Sequence, residues 1–403
     1  MRLSLILLTL SVSLAALRGS AQAWPRYGGP GGDFSVGSAP GGTDWSNTPP
    51  ACLWRTALTD RGYACPSVAD GAVFVVDHLG SNDVVRAFDL ETGDERWRFA
   101  YPDTAVPRNG FARAAPTFDE GRLYTLSRLG QLHVLDAKSG QRLWQTHYVR
   151  DWGGQSPEHG FCAPPAVWGD RLILCPGGSN GCVAAVDKRT GERLWRSAPA
   201  AAPGHALPVV VPLGGRATLL CFSSEALLAL DPATGALFWT FPRPTPFGNN
   251  IAQPLVFGDR LLVTSGDGMG TALLKIVDGR PVQVWENKAY HALFTTPVAV
   301  GDLILLASNT RHQGLTCASL STGEVHWLNP RFDKYTSFLR AGALVMALES
   351  AKGDLVLLRP EAEAYREITR FKPLGKLSWT PPLIAGDRLI VRNERELGCF
   401  RLP

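Results

Sequence analysis

The chain has no basic run, and its formal charge is only +4 over 403 residues. Neither nucleic acid nor an anionic membrane is an expected partner of such a balance. It has no Walker loop, no G-x-G-x-x-G ahead of a helix, no zinc-ligand spacing and no G-x-S-x-G elbow, which removes the common nucleotide, zinc and serine-hydrolase chemistries. No two of its eight cysteines are adjacent, and the closest pair is Cys175 and Cys182. His159 and Cys162 alone are too few for a metal, and no third residue is placed to orient a Cys–His nucleophile. No apolar run reaches the ~20 residues that a membrane-spanning helix needs.

The start of the chain reads as an address. Arg2 supplies a positive end, Leu3 to Leu17 an apolar core, and Ala21-Gln22-Ala23 a small-x-small cleavage site before Trp24. Residues 1–23 are therefore expected to be a signal peptide, and the mature protein to be exported, periplasmic or secreted. No Cys lies near the cleavage site, so no lipid anchor is expected. Residues 24–50 are rich in Gly, Pro and Ser, a composition that predicts an extended segment over the surface. Residues 51–403 read as one domain.

That domain is a repeat. A strand, an Asp-x-x-Thr-Gly turn and a second strand with Trp four residues after the Gly recur along it. The copies are Asp89–Gly93 with Trp97, Asp136–Gly140 with Trp144, Asp187–Gly191 with Trp195 and Asp231–Gly235 with Trp239. A weaker copy is Ser319–Gly323 with Trp327. The Asp carboxylate accepts backbone N–H groups just ahead of it, and Gly supplies the positive φ of a bulged hairpin. The Trp is large enough to fill the space between neighbouring units. Self-similarity at about 40–50 residues with strands joined by tight turns predicts an all-β propeller.

Eight segments open at Pro66, Pro116, Pro165, Pro208, Pro254, Pro297, Ser337 and Pro382. The seventh is degenerate, with Glu367 where the Trp is expected, and seven blades is the alternative count. The eighth ends at Pro403 without an outer strand, while Ala51 to Ala57 is a strand with Trp54 and no partner before it. Pairing the two completes an eighth four-stranded blade and closes the ring, leaving no open edge between the ends. The register places Cys399 opposite Trp54.

These features resemble the PQQ-like β-propeller repeat family over about residues 50–403. The opening Trp24-Pro25 with Gly29-Pro30 is similar to that of its exported single-propeller members. One branch of the family comprises quinoprotein alcohol dehydrogenases, which hold PQQ and calcium on the axis beneath a pair of adjacent cysteines. Another is the noncatalytic outer-membrane assembly factor of the BamB type. The resemblance to the exported single propellers implies a scaffold for a protein partner or small ligand, most simply a monomer with no cofactor. PQQ with calcium and a PQQ-dependent oxidoreductase activity is the alternative, against which the separated cysteines and short loops stand.

In a propeller the segments just before each first strand gather at the axis. Their candidates for a ligand pocket are Tyr63, Arg113, His159, Phe161, His205, Asn249, Gln253, His291, Tyr335 and Trp379. No catalytic and no metal-binding residue is expected. In an exported chain, Cys175 and Cys182, flanking a six-residue turn, are the expected disulfide.

Overall fold

The computed structural model describes residues 23–403 apart from 39–40, 60, 105–109, 198 and 376, so the expected leader lies outside the described residues. Within them, each Asp-x-x-Thr-Gly turn closes as its chemistry demands. The Asp187 carboxylate accepts the N–H groups of Arg189 (2.8 Å) and Thr190 (2.9 Å), and Gly191, at φ +77°, donates its N–H to the Asp187 carbonyl. The strand after the turn then bulges. In all eight blades one residue on the outer strand is left unpaired, and the position after it is Trp in seven of them. Blade seven is the exception. There the bulge falls at Ile368, so Thr369, and not Glu367, occupies the Trp position.

The bulge aims the indole at the next blade. Trp54, Trp97, Trp195 and Trp285 each pack on the turn glycine of the following blade and donate Nε1–H to a carbonyl in that turn. Eight blades of four antiparallel strands result, each in up-and-down order, and the sheet of blade seven gains a fifth strand from the N-terminal segment. In blade one these are Ser67–Ala69, Ala72–Leu79, Asn82–Asp89 and Glu95–Pro102. Blade eight consists of Leu383–Ala385, Arg388–Arg392, Glu396–Arg401 and, as its outer strand, Ala51–Ala57 from the other end of the chain. Trp54 stands opposite Cys399, so the ring closes in the expected register. Buried apolar side chains between successive blades form the core. No helix among the described residues is long and apolar enough to cross a membrane.

Two expectations are corrected. The first part of the Gly/Pro-rich segment, 24–36, does not run over the surface, whereas most described residues of 37–49 are exposed as expected. Trp24 pairs with Val68 of blade one, the Pro25 carbonyl accepts the N–H of Phe118 in blade two, and Ser35–Val36 adds a parallel strand to the inner edge of blade seven. The segment thus crosses the central channel, burying Trp24 and Phe34. Its glycines permit the turns that let these few large rings face inward, which composition averages conceal. The expected Cys175–Cys182 pair is also not brought face to face, and no Sγ–Sγ bond joins any two cysteines of the structure. The register Leu174↔Ala184, carried on one residue, puts Val183 rather than Cys182 across from Cys175.

Candidate axial binding site

The short loops before the inner strands converge on the channel and line a cavity of about 330 Å³. Every blade contributes: Tyr63 and Cys65 from the first, Arg113 from the second, His159 and Cys162 from the third and His205 from the fourth. Asn249 and Ile251, then Phe294 and Thr295, then Tyr335, then Trp379 complete the circuit. Tyr27 of the channel-crossing segment also faces the cavity and packs against three separate core clusters, which makes it the floor.

The wall has two chemical halves. From blades six to one runs a ladder of rings. Trp379 is stacked between Tyr63 at 4.2 Å and Tyr335 at 4.7 Å, and Phe294 follows 4.6 Å beyond Tyr335. Both faces of Trp379 are thereby covered, so its edge is what remains for the cavity. Tyr63 is fixed by donating its hydroxyl to Glu394 at 2.6 Å, and burial, with Glu394, pushes its phenol pKa up. Lys334 sits over the other end, its Nζ 5.3 Å from the centre of the Tyr335 ring. Blades two to five supply the polar half. Arg113 donates to the His159 carbonyl at 2.7 Å, and the rings of His159 and His205 lie 6.3 Å apart.

His205 is 6 % exposed, and neither ring nitrogen has a partner in the protein. Burial, reinforced by the Arg113 charge, pushes its pKa down to about 4, so it is neutral at neutral pH, with one donor and one acceptor unused. Thr295 Oγ1 and Trp379 Nε1 are likewise buried without partners. An unmet polar group of this kind costs about 1–3 kcal/mol, which a ligand or ordered water offsets by bonding to it. Arg113 is the one formal charge among the described lining residues, and no carboxylate is among them.

Of the ten candidates, seven line the cavity. Phe161 instead turns into the core against Tyr148, ring centres 5.1 Å apart. Gln253 and His291 are buried outside the lining, His291 with its pKa lowered by burial. Tyr27, Ile251 and Thr295 were not anticipated. Ile251 and Thr295 lie inside or beside the axial segments, but Tyr27 gives no sequence signal beyond being an aromatic in a Gly-rich stretch.

PQQ with calcium does not fit this lining. A tricarboxylate quinone and its cation demand several cationic or amide donors and an oxygen cage. The cavity offers one guanidinium, and no group of three or more metal-ligating side chains is found among the described residues.

The fold and cavity define an eight-bladed β-propeller built of tryptophan-docked repeats around one axial well. The family described as outer membrane protein assembly factor BamB matches residues 34–147 and 81–329, and the chain belongs to this family of PQQ-like propellers. The Burkholderia pseudomallei outer membrane protein assembly factor BamB is 28% identical over 360 residues, 85% of each chain. A quinohemoprotein alcohol dehydrogenase of Comamonas testosteroni is 29% identical over 144 residues, covering 33% of this chain and 19% of that enzyme. The crystal structure of BamB from Moraxella catarrhalis superposes with a TM-score of 0.62 at 20% identity, covering 88% of this chain and 98% of that one. At that identity the likeness establishes the fold alone.

Proposed function

We propose that the protein is an exported, noncatalytic scaffold whose axial face binds a protein partner or a small ligand. The observation that carries this reading is His205, buried, neutral and unpartnered beside the single charge of Arg113, in a well that all eight blades build. Such a lining suits an acceptor-rich group of about the size of one or two amino-acid residues. It takes a chain end, a side chain or a small molecule, and is too small for a folded domain. The relatives named as outer membrane protein assembly factors favour a protein partner in that process over a metabolite. The quinoprotein reading is disfavoured by the lining described above and by the short span of the match to such an enzyme.

The test compares the wild-type chain with Arg113→Ala and His205→Ala in crosslinking pull-downs from the exported fraction. A thermal-shift screen of small metabolites runs beside it. A protein or metabolite bound by the wild type and lost in either variant supports the axial face. Identical capture by all three chains, with no thermal shift, overturns it.

A further inference from the structure

We infer that Cys175 and Cys221 form a disulfide that staples blade three to blade four behind the axial well. The two sulfurs lie 3.3 Å apart across the blade interface, both residues buried, in a chain where they are 46 positions distant. Closing to the ~2.0 Å of a covalent bond requires a movement of only about 1.3 Å, within reach of side-chain adjustment. Cys221 lies on the strand Arg216–Phe222 and Cys175 directly after the strand Arg171–Leu174, both next to the residues that clamp the segment carrying His205. Ala201 bridges Gly178, Pro203 bridges Ser223, and the N–H of Gly204 donates to the Phe222 carbonyl at 3.0 Å. A bond from Cys175 to Cys221 therefore ties together both edges of the cradle in which His205 sits.

The chemistry needs a disulfide donor such as oxidised glutathione or a protein disulfide. One cysteine thiolate attacks the donor, forming a mixed disulfide and releasing one donor thiol. The second thiolate then displaces the other donor half. Two cysteine thiols are oxidised, the donor disulfide is reduced to two thiols, and the protons pass to them. The contact with Cys175 Sγ, together with burial, pushes the Cys221 thiol pKa well up, so the folded, reduced protein presents little Cys221 thiolate. The bond accordingly forms during folding, before the two blades close. Its formation in the cell rests on the export proposed above. Its geometry does not.

The experiment refolds the full chain in a glutathione redox buffer, then denatures it and titrates thiols. Six of the eight cysteines should react, and non-reducing digestion should link the peptide holding Cys175 to that holding Cys221. Cys175 and Cys182 share a tryptic peptide, so the Cys182→Ala variant is mapped in parallel and should keep the crosslink. Reduction should lower the melting temperature by roughly 5 °C. Eight reactive thiols, or a bond involving Cys182, would overturn the inference, whether or not the protein binds anything at its axial face.

Discussion

The six-membered edge of the Trp195 indole rests on the α-carbon of Gly235 in the next blade, so closely that a β-carbon there would stand 2.5 Å from Cε3. The turn glycine thus serves two ends. It takes a φ of +76°, and it leaves the flat surface on which the preceding blade docks. Trp195→Ala should cost about 3–5 kcal/mol, from lost burial and the cavity left behind. Gly235→Ala should also destabilise, and the double variant should cost less than the two single losses added, since each removes the same contact. Urea denaturation of the three variants checks this, and strict additivity would contradict the docking role.

Ring closure makes the N-terminal strand indispensable. Removing residues 24–58 deletes the outer strand of blade eight, exposes the edge of Glu396–Arg401 and opens the channel floor. The loss should far exceed the 0.5–3 kcal/mol of an ordinary point substitution and produce association or unfolding. Size-exclusion chromatography and a melting curve decide it. A monomer with unchanged melting temperature would place that strand elsewhere.

Acid should weaken the fold through buried neutral histidines. Burial holds His205 and His133 down to about 4, below the 6.5 of an unfolded imidazole. Their contribution is full above pH 6.5 and is lost as pH falls through 4, because the unfolded chain binds protons first. Each is worth at most about 3 kcal/mol. His78 runs the other way. Burial lowers its pKa, but Asp83 at 2.9 Å and the Gly80 carbonyl at 2.8 Å outweigh that by accepting from both ring nitrogens, and its stabilisation is lost as pH rises. Urea midpoints between pH 4 and 8 should show a shallower acid slope for His205→Gln than for the wild type. Coincident slopes would remove His205 from the account.

Titration with PQQ and calcium should give no stoichiometric submicromolar binding and no dye-linked alcohol oxidation. Among the described lining residues Arg113 supplies one guanidinium, which cannot neutralise three carboxylates. Turnover that disappears when calcium is removed would reverse this.

Much of the fold was legible because its rules are local. Asp187, Gly191 and Trp195 lie within nine residues, and a repeated local rule announces a ring. The axial segments were legible for the same reason, since each precedes an inner strand. Which side chain in a segment faces the axis was not. His159 and Phe161 stand two apart, yet one lines the well and the other packs on Tyr148. Loop geometry decides that, and no strand alternation governs it. Contacts between blades were equally hidden. Cys175 was matched to its neighbour in sequence, whereas its neighbour in space comes from the next blade. Tyr27 escaped because a few rings in a glycine-rich stretch outweigh the composition around them.

The chain segment that crosses the channel sets Tyr27 against one side of the well, which, if that side stays closed, leaves the well a single doorway. Whatever enters must leave by the same mouth, past the ring ladder on one side and Arg113 on the other. A protein seated over that mouth would hold an occupant in place without touching it, by slowing departure rather than by strengthening any contact. Small ligand and protein partner then cease to be rival readings. The protein would lengthen the stay of the small ligand, which would have to arrive first.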